Sequence, residues 1–164
     1  SWHIQSYVDD HLLCHHKNWQ SDHYEQQTGA VAEFLGDTIY TLSSEPNKLI
    51  AIDTEEGIDR IIDILTPLVG NRVTLVRSQR DFLEITAPNV SKGRALAQLA
   101  LDNNLSLENI VSFGNAENDI SMLSETGYSV AVSNATEHVK SVANEVCGHH
   151  NEDGVAHWIE KNLL

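Results

Sequence analysis

The stretch Ile110-Val111-Ser112-Phe113-Gly114-Asn115-Ala116-Glu117-Asn118-Asp119-Ile120-Ser121-Met122-Leu123 constrains this chain more than any other. It reads as a short apolar strand, a glycine turn and a helix. Asn115, Glu117, Asn118 and Asp119 fall within five positions, where the strand stops and a helix N-terminus offers unpaired backbone N–H groups. Strand, polar turn and helix in this order imply an α/β sheet, and in open α/β sheets ligands bind in the crevice at the carboxyl ends of the strands.

The rest of the chain falls on either side of Ala87-Pro88-Asn89. Downstream, strands and helices alternate. Residues 92–103 form a helix with Ala95, Leu96, Leu99 and Ala100 inward; 110–113 a strand; 118–125 a helix; 128–132 a strand; 135–143 a helix; 145–147 a short strand. Residues 153–164 close the chain as a helix with Val155, Trp158, Ile159 and Leu163 on one face. That rhythm predicts a parallel sheet covered by helices. Upstream, 3–13 reads as two short strands turning at Asp9-Asp10, 18–29 as a loop or short helix stopped by Gly29, and 31–35 as either state. Residues 48–53 form a strand, followed by a helix capped by Asp53 or Thr54 and running to about Val69. Its Ile58, Ile61, Ile62 and Leu65 stand at i, i+3, i+4 and i+7, one apolar stripe. Gly70-Asn71 ends it, and strands follow at 72–76 and 82–86. The expected organisation is an α+β domain over 1–87 and an α/β domain over 88–164.

Charge and composition narrow the partners. The 164 residues carry 24 acidic against 10 basic side chains, a formal net charge of -14, which argues against nucleic acid and against an anionic membrane surface. No apolar run approaches the roughly 18 residues of a membrane span. Cys14 and Cys147 form no C-x-x-C pair, a usage that fits a reducing compartment, so the expected location is cytoplasmic. The sequence opens on Ser1 and its single methionine is Met122; the expectation from this is a truncated or processed form.

Several motifs combine into one resemblance. They are Ser91-Lys92-Gly93 at a helix start, Gly114-Asn115-Ala116-Glu117-Asn118-Asp119, the strand and turn Gly127-Tyr128-Ser129-Val130-Ala131-Val132-Ser133-Asn134-Ala135, the helix segment Val139-Lys140-Ser141-Val142-Ala143, and Asn151-Glu152-Asp153-Gly154-Val155-Ala156. Together they resemble the haloacid dehalogenase superfamily, in particular the Cof-type sugar-phosphate phosphatases. The resemblance implies part of a Rossmann-like parallel sheet core plus an α+β cap domain, with 1–87 as the cap and 88–164 as the C-terminal part of the core. It implies a small phosphorylated substrate and Mg2+. Lys92 and Asp119 take catalytic positions, Lys92 and Asn118 meet the phosphate, and Asn115, Ala116 and Asp119 stand at the metal. The family's G-D-x-x-N-D pattern carries aspartate where this chain has Asn115, and an amide brings no charge to a cation. The family's D-x-D-G-T nucleophile motif and its Ser or Thr phosphate motif do not occur in this sequence, so the chain is expected to be inactive alone. The strand over 110–113 would normally lie beside the nucleophile strand, which leaves an open edge for self-association.

Other readings remain beside this one. The turn at 114–119 also suits a plain helix cap, a common use of Asn and Asp, and Lys92 suits a solvated helix start. A non-catalytic relative that binds a phosphorylated ligand or a protein partner is the alternative function. His11, Cys14, His15, His16 and His23, and Cys147, His149 and His150, gather soft donors, without the spacing of a structural zinc framework. A Ser-His-Asp hydrolase has no G-x-S-x-G support.

Overall fold

In the computed structural model, which describes residues 2–164, β1 (His3–Val8) turns back on β2 (His11–Cys14) through Asp9 and Asp10. Both turn residues are left-handed, at φ 49° and 66°, the conformation that a two-residue hairpin loop requires and that aspartate tolerates. The polar segment after it is a helix, α1 (Trp19–Thr28). Asn18 accepts the Ser21 N–H while the Ser21 hydroxyl accepts the Asn18 N–H, and Gly29, at φ 72°, closes the other end. Residues 31–35 resolve as β3 (Ala32–Phe34).

Next come β4 (Lys48–Ile52), α2 (Glu55–Val69), β5 (Thr74–Gln79) and β6 (Phe82–Thr86). The six strands pair in the order β3-β2-β1-β4-β6-β5, antiparallel except for β2 with β3. Because side chains alternate along a strand, β4 feeds two apolar clusters. Ile50 and Ile52 join Leu12, Cys14, Phe82 and Tyr24 of α1, while Ala51 joins Leu83, Ile85 and Ile58 and Ile61 of α2. The strand expected at 72–76 begins two residues late. Gly70–Arg72 continues α2 as a 3-10 turn, held by the Arg72 guanidinium on the Leu68 and Val69 carbonyls.

The chain divides after Asn89, and Val90–Leu164 form a second unit. Its elements are α3 (Lys92–Asp102), β7 (Val111–Gly114), α4 (Ile120–Glu125), β8 (Tyr128–Val132), α5 (Glu137–Val142), β9 (Glu145–Cys147) and α6 (Gly154–Asn162). The three strands form a parallel sheet in the order β7-β8-β9. This is a mixed α/β fold with the predicted parallel layer. β8 runs through its middle with Ser129, Val130, Ala131 and Val132 buried, and Leu123, Ala135 and Val139 pack on it. Trp158 of α6 meets Phe113 edge-on at 5.4 Å between ring centres. The inward face of α3 agrees with expectation at Ala100, which is buried, but Ala95 and Leu99 are exposed and Gly93 is buried in their place. The face that packs on α4 is set by backbone approach at Gly93, not by the larger apolar residues.

Core burial on α2 yields a paired prediction. Ile61 is fully buried and Ile64, about one turn on and rotated toward solvent, is 47% exposed. Ile61→Ala should lower unfolding stability by about 2–5 kcal/mol, and Ile64→Ala by about 0.5 kcal/mol or less. Urea unfolding monitored by tryptophan fluorescence and circular dichroism measures both; equal losses would mean that α2 is not seated on the sheet by this face.

Candidate functional site

Lys92 opens α3, where the Ser91 hydroxyl accepts the Arg94 N–H at 3.2 Å and fixes the helix start. Gly93 lets that start press on α4. A Cβ at position 93 would lie 2.5 Å from the Ser121 carbonyl oxygen, and the Gly93 N–H instead donates to the Ser121 hydroxyl at 3.1 Å. This close approach brings the Lys92 ammonium onto Asp119.

Asp119 is the centre of the turn. It is 3% exposed, and its Oδ2 accepts the N–H of Asn115 at 2.8 Å and of Ala116 at 3.1 Å, while Oδ1 takes Lys92 Nζ. Gly114 leaves room for this: a Cβ there would lie 2.7 Å from the Asp119 Cβ. The carboxylate reaching back over the turn also explains why the helix expected at 118–125 is divided, with Glu117–Asp119 as a 3-10 turn before α4. Burial alone pushes the Asp119 pKa up, but Lys92 and the two backbone donors outweigh it and hold the carboxyl below its ordinary value.

The remaining predicted residues lie on the same turn. Asn118 is half-buried, and its Oδ1 is buried with no hydrogen-bond partner among the described residues. Asn115 is exposed, and its carbonyl accepts the Thr136 N–H at 3.3 Å. The Ala116 carbonyl accepts the Asp119 N–H at 2.9 Å. Lys92, Asn115, Ala116, Asn118 and Asp119 are therefore brought together, joined by two residues that sequence reading missed. Thr136 Oγ1 donates to Glu117 Oε1 at 3.1 Å, and His138 Nδ1 lies 2.8 Å from Glu117 Oε2. Both come from the start of α5, some twenty positions away, and no local pattern marks them.

The fit to Mg2+ is poor. Hard divalent cations take oxygen ligands and favour one or two carboxylates. Both oxygens of Asp119 and both of Glu117 already meet donors of this chain. The side-chain oxygens left over belong to Asn115 and Asn118 and are neutral. Three of the histidines lie on separate carboxylates, His11 on Glu33, His15 on Asp37 and His23 on Asp81. Among the described residues no three His, Cys, Asp or Glu side chains converge as a metal site would need, and no helix is long and apolar enough to cross a membrane.

Comparison with known proteins gives the family. A family profile described as haloacid dehalogenase-like hydrolase matches residues 2–159. Phosphatase YwpJ of Bacillus subtilis is 42% identical over 92 residues, covering 56% of this chain and 32% of that protein. The chloroplastic endoribonuclease YBEY of Arabidopsis thaliana is 33% identical over 140 residues, 74% of this chain but 24% of that protein, so its name describes a protein most of whose length lies outside the match. The crystal structure of TM0651 from Thermotoga maritima superposes with a TM-score of 0.82 at 32% identity, covering all of this chain and 62% of that one. The chain spans less than two thirds of each of these relatives.

Asp119 makes stability depend on acid. Because its folded pKa lies below the unfolded value, the stabilisation is complete above about pH 4 and is lost as pH falls through the folded pKa. Asp119→Asn should cost about 1–3 kcal/mol at neutral pH and should flatten the acid limb of the stability profile. Urea midpoints measured from neutral pH down into the acid range decide this; an unchanged acid limb in the variant would remove Asp119 as its source.

Proposed function

The chain belongs to the haloacid dehalogenase-like hydrolases of the Cof type, and from that premise we propose that its second unit forms the phosphate-holding side of a phosphatase site for small phosphomonoesters such as sugar phosphates. One observation carries the reading. The Lys92 side chain is half exposed while its ammonium is anchored on a carboxylate that is 5% exposed, so a cation is held in place with donors to spare. An ammonium has three N–H donors, and Asp119 uses one of them. The Asn118 amide stands on the same turn.

Phosphoryl transfer asks the protein chiefly to position the phosphate and to screen charge on its oxygens. Lys92 supplies the screening charge, Asn118 a neutral donor, and Asp119 keeps the ammonium from swinging into solvent. Asp119 thus acts as a positioning residue. In the complete family enzyme, an aspartate from a D-x-D-G-T strand attacks phosphorus, and the resulting phosphoaspartate is hydrolysed. That motif is not among these 164 residues, so this chain holds the ester without cleaving it. The family generally uses Mg2+, but the residues present fit it poorly and no step is assigned to it. The first unit takes the part of the α+β cap.

Asn115 favours a second reading, a non-catalytic relative that binds a phosphorylated ligand or a protein partner. β7 ends its sheet, and self-pairing along that margin is the form of association the fold invites.

Two substitutions and one assay test the proposal. Asn118→Ala should weaken binding of inorganic phosphate by about threefold or more, while unfolding stability stays within about 0.5 kcal/mol, because its oxygen has no partner to lose. Lys92→Ala should weaken binding by about tenfold and also cost about 1–3 kcal/mol of stability, since it strands a buried carboxylate. Amide chemical shifts during phosphate titration and urea unfolding measure the two effects; phosphate affinity unchanged in both variants would take these residues out of the site. The chain alone should not hydrolyse p-nitrophenyl phosphate, and measurable Mg2+-dependent turnover would overturn the proposed division of labour.

A further inference from the structure

We infer that this chain binds phosphate at the Gly114–Asp119 turn independently of any divalent cation. The inference rests on the phosphate reading above and concerns how that site neutralises its ligand.

The turn contains two carboxylates, and every oxygen of both already meets a donor of this chain. Asp119 is met by one ammonium and two backbone N–H groups. Glu117 is met by the Thr136 hydroxyl and the His138 ring. The backbone carbonyls are engaged as well, Asn115 by the Thr136 N–H and Ala116 by the Asp119 N–H. A cation drawn to Asp119 would have to displace Lys92 or the donors that shape the turn, and a cation drawn to Glu117 would compete with the contacts that brace the turn on α5. The exposed side chain that a cation can reach without either loss is Asn115, whose oxygen is neutral. Removing one carboxylate from a site built on one or two removes most of its attraction for Mg2+.

The same arrangement is well suited to an anion. With Asp119 neutralised by Lys92 and Glu117 tied to Thr136 and His138, the side chains left to meet a ligand are the spare donors of Lys92 and the amides of Asn115 and Asn118. None of these is a carboxylate that a cation must first screen. A phosphate therefore meets the lysine directly.

The test is a titration of the intact 164-residue chain with inorganic phosphate, in EDTA and again in excess MgCl2, followed by amide chemical shifts at residues 92 and 114–119. A parallel titration uses MgCl2 alone. Asn115→Asp is the comparison variant, which restores an exposed carboxylate without touching the buried network. Cation independence predicts phosphate affinities in the two buffers within about twofold of each other and no saturable response of the wild-type turn to Mg2+. In Asn115→Asp, Mg2+ should produce a saturable shift at residue 115. Phosphate affinity rising about tenfold or more with Mg2+ in the wild type, or a saturable Mg2+ response at Asn115, would overturn the inference. An Asn115→Asp chain that still ignores Mg2+ would overturn the assignment of the lost cation affinity to Asn115. Absence of phosphate binding in both buffers would instead defeat the underlying phosphate reading, and is told apart by the Mg2+ titrations, which do not depend on phosphate.

Discussion

A carboxylate buried to the extent of Asp119 keeps its charge only if its surroundings replace the water it has lost. Here the replacement comes from three places in the chain: Lys92 at the start of α3, and the backbone N–H groups of Asn115 and Ala116 at the end of β7. The consequence is architectural. The turn after β7 cannot take this shape without Asp119, α3 is held against that turn through Lys92, and α4 begins where the Asp119 backbone leaves off. Two glycines make the convergence sterically possible. Gly114 leaves space for the carboxylate, and Gly93 allows backbone contact between α3 and α4. A methyl group at either position would separate the groups that need each other.

That dependence couples stability and binding through the same residue pair. Lys92 stabilises the fold by neutralising Asp119, and its remaining donors are what the site offers to a phosphate. A lysine tethered in this way loses less conformational freedom on meeting a ligand than a free one, since part of its ordering has already occurred in folding. The cost is that the turn's carboxylates are occupied. Glu117 is drawn toward α5 by Thr136 and His138, so the loop is pinned from both sides, and little remains for a metal ion to coordinate.

Much of the fold could be read from local pattern, and most of the misses share a cause. Alternation and turn chemistry located β1, β2, β6, β8 and β9 closely, because the side chains that define them act within a few residues. The periodic stripe of α2 worked for the same reason. Where distant backbone decides, local pattern failed. Ala95 and Leu99 look like an inward face, yet α3 turns Gly93 and Ala100 inward because α4 lies too close for anything larger at Gly93. The late start of β5 is a separate, local case, in which the Arg72 side chain reaches back three and four residues to helix carbonyls. For the site, the polar residues of the turn were visible as a motif, since they lie in one run. Thr136 and His138 were not, because their partner Glu117 is contributed across a parallel strand crossover and nothing in the neighbouring sequence announces it. The cation fit was half legible: Asn115 was a visible departure, whereas the commitment of Asp119 and Glu117 to internal donors is a three-dimensional fact.

A chain of formal charge -14 is an unlikely host for a phosphate if net charge decides, so the balance between far and near charges matters. At physiological ionic strength, charges more than about 8–10 Å apart in solvent are largely screened, which removes most of the chain's acidic surface from the account. What remains near the turn is Asp119, offset by Lys92, and Glu117, whose two oxygens are met by Thr136 and His138. The field met by an incoming anion is therefore set by how the few local charges are paired, and not by the total. Long-range repulsion slows approach but contributes little to the bound state. Added salt should thus act on the two differently, easing the encounter with an anion while weakening the half-exposed Lys92 contact only in part. Pairing each acidic side chain of the turn with an internal donor is what allows so acidic a chain to present a donor-rich patch at all.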